Sequence, residues 1–385
     1  VDPAPCVLTI NRVGFLGGVE RVILSIGTAA RRSGFGFVLA CPGGDFADAA
    51  AAIGLDVETL AIDRSKRTSS PLALARIGLA MAKGRREITA LARRKGARLL
   101  HAHHPIGALY AAQAAHTLGL PLILHVHETL PASPLYRFAL RRAMPYCGRF
   151  ACVSDASVAL MRHMGAPEFA VQRLYNGVDD SFAAPPAPVP ALAGPGPHIG
   201  HFGVLEPRKG QDIFVRAAAA VLRDHPTAQF WIVGKLSFAD NAAYLAALRR
   251  GIAEAGLEAC VTLVGHRSDV PDWMAGMDAI VLASREQESL PTVLIEGATI
   301  GRPLIATDIG GVREIIEHGR TGLIVPPGDA DALAAAIGRA LGPEGASLGR
   351  AAAAAARRRF GGDRFARDIA SLYRDMLATR MEHAA

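Results

Sequence analysis

The sequence predicts an α/β protein of two halves, each a parallel sheet covered by helices. Three observations lead there. The chain has 385 residues, more than one hydrophobic core usually serves. Short aliphatic runs alternate with amphipathic stretches over almost its whole length, a βαβ rhythm. That rhythm breaks once, at "AAPPAPVPALAGPGP" from Ala183 to Pro197, where proline and glycine disfavour regular structure.

In chain order the strands expected before the break are "CVLTIN", "GFVLAC", "RLLHAH", "PLILHVH" and "RFACVS". After it come "HIGHFG", "AQFWIVG", "CVTLVG", "DAIVLAS", "RPLIATD" and "TGLIVPP". The expected organisation is a first domain over 1–182, a linker over 183–197, a second domain over 198–362 and a tail over 363–385. The tail reads as a helix from Asp363 to about Arg380, with Phe365, Ile369, Leu372 and Met376 on one face. In doubly wound sheets ligands lie at the carboxyl ends of the strands, so the loops there are the first place to look for chemistry.

Composition narrows the classes. Half the residues are hydrophobic and a fifth charged, which is ordinary for a globular chain. The longest apolar runs are strand-sized, well short of the roughly 18 to 20 residues that cross a bilayer. The opening "VDPAPCVLTINR" lacks a basic stretch followed by a long apolar segment, so no secretory leader is expected and the cytoplasm is the expected compartment. Cys6, Cys41, Cys147, Cys152 and Cys260 are odd in number and form no CxxC pair, which argues for reduced thiols over a disulfide framework or a zinc site. The net charge is +7, and between Arg64 and Arg98 eleven Lys or Arg face a single acid, Glu87. Such a segment suits an anionic membrane surface or is a solvated face; without interleaved aromatics it does not suggest nucleic acid.

The stretch "ESLPTVLIEGA" places Glu288 and Glu296 at the two ends of an apolar run. Glu288 falls in the loop after "DAIVLAS", with Ser289 and Pro291 expected to cap and open a helix. Glu296 is then expected about two turns in, on a narrow stripe with Thr292 and Thr299. A carboxylate on such a helix needs donors if it is buried, which a vicinal diol supplies. "FGVLEPRKGQD" repeats the layout of strand end, glycine and loop entering a helix, with Gly203 at the turn and Arg208 and Lys209 at the helix mouth. Two cations beside helix N–H groups suit a diphosphate without a metal.

Near the N-terminus, Gly17 and Gly18 precede Glu20 at the start of the first helix; neither GxGxxG nor GxxxxGK[ST] occurs. Histidines cluster as "HAHH" (His101, His103, His104) and "HVHE" (His125, His127, Glu128). Strand alternation puts His101 and His103 on one face and His104 on the other, and HVHE lacks the helical spacing of HExxH, so no metal site is expected. His127 is the strand-end histidine expected to face a ligand. "DAD" at Asp329 to Asp331 reads as a helix cap and a first-turn acid, with no metal role.

Together the segments GGVER, HVHE, NGVD (Asn176 to Asp179), the G-x-L-x-P-x-K-G loop, GHRSDV (Gly265 to Val270), E-x7-E, DIGGVREII and HGRTGLIVPPGD resemble glycosyltransferase family 4. These are retaining, nucleotide-sugar-dependent transferases of the GT-B fold. The last four, in that order and spacing, make the resemblance specific. It implies two Rossmann-like domains facing across a cleft, with the final helix crossing back to the first. The second half would bind the donor, UDP being favoured over GDP or ADP, and the first most of a saccharide or lipid-linked acceptor.

By matching positions, Lys209 would hold the diphosphate, Glu296 the ribose, Glu288 a hydroxyl of the donor sugar, and His127 would sit near the transferred sugar. The loop with His266 and Arg267 would border the base. Gly17, Gly18, Gly203, Arg208, Ser289, Leu290, Pro291 and Thr292 complete the implied donor set, with no cofactor. Family members usually carry Arg directly after the phosphate-loop glycine, whereas this chain has Val204, and Arg208 is the expected replacement. A nucleotide-sugar epimerase of the same architecture or a non-catalytic binding protein are the alternative readings. A phosphorylase would need a cofactor-binding lysine, and of the five lysines Lys209 is already assigned to the diphosphate.

Overall fold

The structure is a computed structural model. It describes residues 4–60, 71–128, 134–178, 182, 184, 186–187, 189–236, 242–286 and 288–382, apart from the side chains of 71–77, 135 and 379–382. Within these the chain forms two compact units: residues 1–177 together with 362–385, and residues 178–361. The division at Gly177 falls five residues before the end of the expected first domain. Part of the expected linker, Pro190–Leu192, is a single 3-10 turn.

The first unit is a seven-stranded parallel sheet in the order β3-β2-β1-β4-β5-β6-β7. Its strands are β1 Cys6–Ile10, β2 Gly36–Cys41, β3 Asp56–Thr59, β4 Ala97–His103, β5 Leu122–Val126, β6 Arg149–Cys152 and β7 Val171–Arg173. The helices are α1 Gly18–Arg32, α2 Asp45–Ala52, α3 Pro71–Arg94, α4 Pro105–Leu118, α5 Pro134–Ala143 and α6 Asp155–His163. Strands β3 and β7 lie at the sheet edges; "DVET" and "VQR" are too short and too polar to show the apolar run that marks the inner strands.

Both faces of this sheet are covered, as parallel sheets require. Leu8, Ile10, Leu100 and Leu124 pack beneath α3, α4 and α5, while Val7, Leu39, Leu99 and Ile123 form a second core. The last helix, α13 Gly362–Glu382, joins that second core through Phe365, Ile369, Leu372, Tyr373 and Met376, all buried, and packs against α1. Burying an apolar side chain of this size contributes about 1.5–3 kcal/mol, enough to fix the tail on this unit. Arg364 adds a bond to the Tyr175 carbonyl at 2.8 Å.

The second unit is a six-stranded parallel sheet in the order β10-β9-β8-β11-β12-β13. The strands are β8 His198–Phe202, β9 Gln229–Val233, β10 Val261–Gly265, β11 Ala279–Leu282, β12 Leu304–Thr307 and β13 Leu323–Val325. All six coincide with runs expected from the sequence. The helices are α7 Gln211–Val221, α8 Ala242–Glu254, α9 Val270–Ala275, α10 Thr292–Ile300, α11 Ala330–Leu341 and α12 Gly345–Phe360. Asp329 caps α11 by accepting from the Ala332 N–H at 2.9 Å, so the DAD sequence is a helix start.

Each sheet reverses its strand order once. In the first unit the reversal lies between β1 and β4, in the second between β8 and β11. Loops leaving the carboxyl ends of such adjacent strands diverge to opposite faces and open a crevice, which positions the polar residues described next.

Candidate functional site

In the second unit the loops after β8 and β11 meet. Pro207–Lys209 forms a 3-10 turn that ends in Gly210, the N-cap of α7. Gly210 has φ +69°, and a Cβ there would stand 2.0 Å from the Ala283 carbonyl oxygen, so only glycine lets the two loops touch. The Arg285 N–H donates to the Arg208 carbonyl at 2.8 Å, and the buried His201 ring bonds the Lys209 carbonyl at 3.0 Å. These bonds aim the Lys209 and Arg208 side chains at the β11 loop.

Glu288 receives them. Its Oε1 accepts from Lys209 Nζ at 2.5 Å, from Ser284 Oγ at 2.9 Å and from Arg208 Nη1 at 3.3 Å. Only 11% of the Glu288 side chain and 13% of that of Lys209 are exposed. Burial pushes the Glu288 carboxyl up, but the Lys209 and Arg208 charges and the bonds from Lys209 and Ser284 outweigh it and hold it below its ordinary value. Arg208 also pairs with Glu206 at 2.5 Å. Two cations are thus held ready between two carboxylates, and an incoming anion can compete for them.

Gly310 and Gly311, in the loop after β12, lie directly on this site. The Gly311 N–H donates to the Glu288 carbonyl at 2.9 Å, and a Cβ on Gly310 would meet that oxygen at 1.8 Å. Gly203, at φ +149°, has open space where its Cβ would be, and its carbonyl lies against Gly234, so the backbone at the β8 end is bare.

Helix α10 starts later than the sequence suggests. Its N-cap is Pro291, with φ −66° and ψ 107°, and no side chain caps it; Ser289 and Leu290 remain in the preceding bend. Proline fixes its own φ and disfavours helix in the residue before it, so Ser289 is too far from the first turn to cap. Glu296 is consequently the fifth helical residue, little more than one turn in. It is half-buried, as are Thr292 and Thr299, while Leu294, Ile295, Gly297 and Ala298 are buried. The polar stripe is therefore real but less enclosed than expected. Thr299 Oγ1 donates to its own helix, at the Ile295 carbonyl, 2.8 Å away.

His266 and Arg267 are exposed in the loop after β10, two strands from β8. Arg267 pairs with Asp269 at 2.6 Å and lies over the Trp273 ring at 5.6 Å.

In the first unit, Gly17 is the N-cap of α1. Glu20 turns back to accept from the Gly17 N–H at 3.2 Å and from Asn11 Nδ2 at 3.1 Å, so the glycine pair serves a helix start, with Gly18 as its first residue. Burial raises the Glu20 carboxyl, although these donors work against the rise.

The histidines depart most from expectation. His104 is not a strand residue on the opposite face: it has φ +70°, is the N-cap of α4 and pairs with Glu128, which also accepts from Tyr136 at 2.9 Å. Burial pulls His104 down, but the Glu128 carboxylate outweighs it and leaves its pKa raised; Glu128 itself is brought to about 2. His101, His103, His125 and His127 stack on one sheet face because β4 and β5 pair with His103 opposite His125. His127 Nε2 bonds His103 Nδ1 at 3.0 Å. Burial drives all four rings below their ordinary value, His101 to about 3.

The basic segment is partly neutralised. Residues 64–70 and the Arg76 side chain lie outside those described, but Lys95 pairs with Asp56 at 2.7 Å and with Glu58 at 2.9 Å, and Arg94 with Glu58 at 2.9 Å. These acids come from β3, one of the two edge strands not visible in the sequence. Among the described residues no helix is long and apolar enough to cross a membrane, and all five cysteines are free.

Two parallel-sheet units, each with its polar loops at the reversal of strand order, define the GT-B class of fold. Residues 16–182 match the model described as Glycosyltransferase Family 4, and residues 196–342 the one described as Glycosyl transferases group 1. The chain belongs to this family of glycosyltransferases. It is 29% identical to the alpha-D-kanosaminyltransferase of Streptomyces kanamyceticus over 65% of this chain and 69% of that one. It is 28% identical to the lipopolysaccharide core biosynthesis mannosyltransferase LpsB of Rhizobium meliloti, over 46% and 52%. In eight of the curated relatives it matches, the aligned stretch spans between 14% and 69% of their own length. The crystal structure of Anabaena HepE in complex with UDP-glucose superposes with a TM-score of 0.81 at 25% identity, covering 96% of this chain and 99% of that one.

Proposed function

We propose that this protein is a retaining glycosyltransferase that moves a sugar from a nucleoside-diphosphate sugar, UDP being the favoured base, to a hydroxyl of a saccharide or lipid-linked acceptor. The work it serves is the assembly of cell-envelope polysaccharide, lipopolysaccharide or glycolipid, on the cytoplasmic side. One observation carries this reading: Lys209, Arg208, Ser284 and Glu288 converge at the β8/β11 reversal, beside the N-termini of α7 and α10. The UDP-glucose held by HepE and the sugar transfers named for the relatives support it.

In the proposed reaction the bond from the sugar's anomeric carbon to the diphosphate oxygen breaks as the acceptor oxygen bonds that carbon from the same face. The departing phosphate oxygen takes the acceptor's proton. Negative charge grows on the leaving group, where Lys209, Arg208 and the open N–H groups of two helices stabilise it. Glu288, ionised because its donors keep its pKa low, accepts from a donor-sugar hydroxyl once Lys209 turns to the diphosphate. Glu296 takes the ribose diol, and His127 serves the transferred sugar.

The test is thermal unfolding with UDP, GDP and ADP, in wild type and in Glu296→Ala. Ligand at about 100 times its dissociation constant adds roughly 2.7 kcal/mol. Stabilisation by one nucleotide that the variant loses is the expected result; no stabilisation by any of them would overturn the donor site.

A further inference from the structure

Three of the paired histidines of the first unit, His101, His103 and His125, have no part in the proposed sugar transfer. One ring nitrogen each from His101, His103 and His125 lies within 4.8 Å of the other two, and all three side chains are fully buried. His103 Nε2 and His125 Nε2 have no hydrogen-bond partner. A buried polar atom left unpaired is costly, so two within one histidine cluster call for an occupant.

The remaining ring nitrogens settle which atoms are free. His101 Nδ1 bonds the Tyr373 hydroxyl at 2.8 Å, His125 Nδ1 bonds His101 Nε2 at 3.2 Å, and His103 Nδ1 bonds His127 Nε2 at 3.0 Å. If every ring carries its proton on Nδ1, each of these bonds has a donor and each Nε2 keeps its lone pair. The orphaned atoms are then lone pairs, which attract a cation. We propose that this unit binds a divalent transition metal of the zinc class between β4 and β5, through Nε2 of His103 and His125 and, once it releases His125, of His101.

Imidazole-only donors suit zinc, copper or nickel and discriminate against magnesium and calcium, which need oxygen. Tyr373 at the far nitrogen of His101 and His127 at that of His103 are the outer partners that orient metal-bound imidazoles. The site lies in the other unit from Lys209 and Glu288, and it meets the proposed reaction only at His127, whose Nε2 bonds His103 Nδ1.

The experiment uses full-length, untagged protein stripped with a chelator and dialysed against zinc or magnesium, with bound metal counted by elemental analysis. One zinc per chain and no magnesium is expected in wild type. His103→Phe and His125→Phe, which keep an aromatic ring in the stack, should weaken zinc binding by more than about tenfold while unfolding cooperatively. Zinc held as tightly by the variants as by wild type, or none held by wild type, overturns the proposal. Should a variant fail to fold, cobalt decides in wild type: imidazole-ligated visible bands support the site, and a spectrum of free aqueous cobalt refutes it.

Discussion

At the scale of single residues, Lys209 and Glu288 depend on each other. Lys209→Ala should lower turnover about 10²- to 10³-fold, the cost of removing one transition-state donor, which a steady-state assay of nucleoside diphosphate release reads directly. Arg208→Ala should raise the donor constant, because Val204 leaves Arg208 as the second cation of the loop; a wild-type-like constant would remove it from the site. Glu288 also links stability to pH. Its folded pKa lies below the ordinary 4.5, so its contribution is present above that value, declines as pH falls through it and is gone below the folded pKa. Urea unfolding of wild type and Glu288→Gln between about pH 3 and pH 6 should show a steeper acid-side loss in wild type.

At the scale of elements, the site is a stack of three loops that only glycine allows. Gly310 combines φ +47° with a Cβ position 1.8 Å from the Glu288 carbonyl oxygen. Gly328 has φ +81° and nothing near its Cβ position. Gly328→Ala should therefore cost about 1–2 kcal/mol of backbone strain alone. Gly310→Ala should cost more and also weaken nucleotide binding, because the Glu288 loop must move. Equal losses in the two variants, measured by chemical unfolding, would show that the loops are not tightly packed. The start of α10 belongs at this scale too: Pro291 delays it, which brings Glu296 to within about one turn of the helix's open end.

At the scale of the molecule, the basic surface is the feature open to test. Wild type should bind vesicles rich in anionic lipid at low ionic strength and release them as salt shortens the screening length to a few ångströms. Absence of binding at low salt would confine the acceptor proposal to soluble saccharides. Because Arg94 and Lys95 are already paired with β3 acids, replacing them should change vesicle binding less than replacing Arg85 and Arg86.

What the sequence determined by itself was the alternation of strands and helices, all inner strands and the loops that carry Lys209 and Glu288. Each of these is written in local pattern: apolar runs long enough to be buried on both faces, and glycine or proline at the turns. The edge strands β3 and β7 were not legible, since a short strand exposed on one side needs no apolar run. Nor were Ser284, Glu206 and Gly310 visible as parts of the site, because their roles depend on which loops the sheet order brings together. The histidines make the point most sharply. Each motif read alone lacked metal-ligand spacing, and only the register of β4 against β5, a property of paired strands, set His103 opposite His125, each with a buried nitrogen that has no partner.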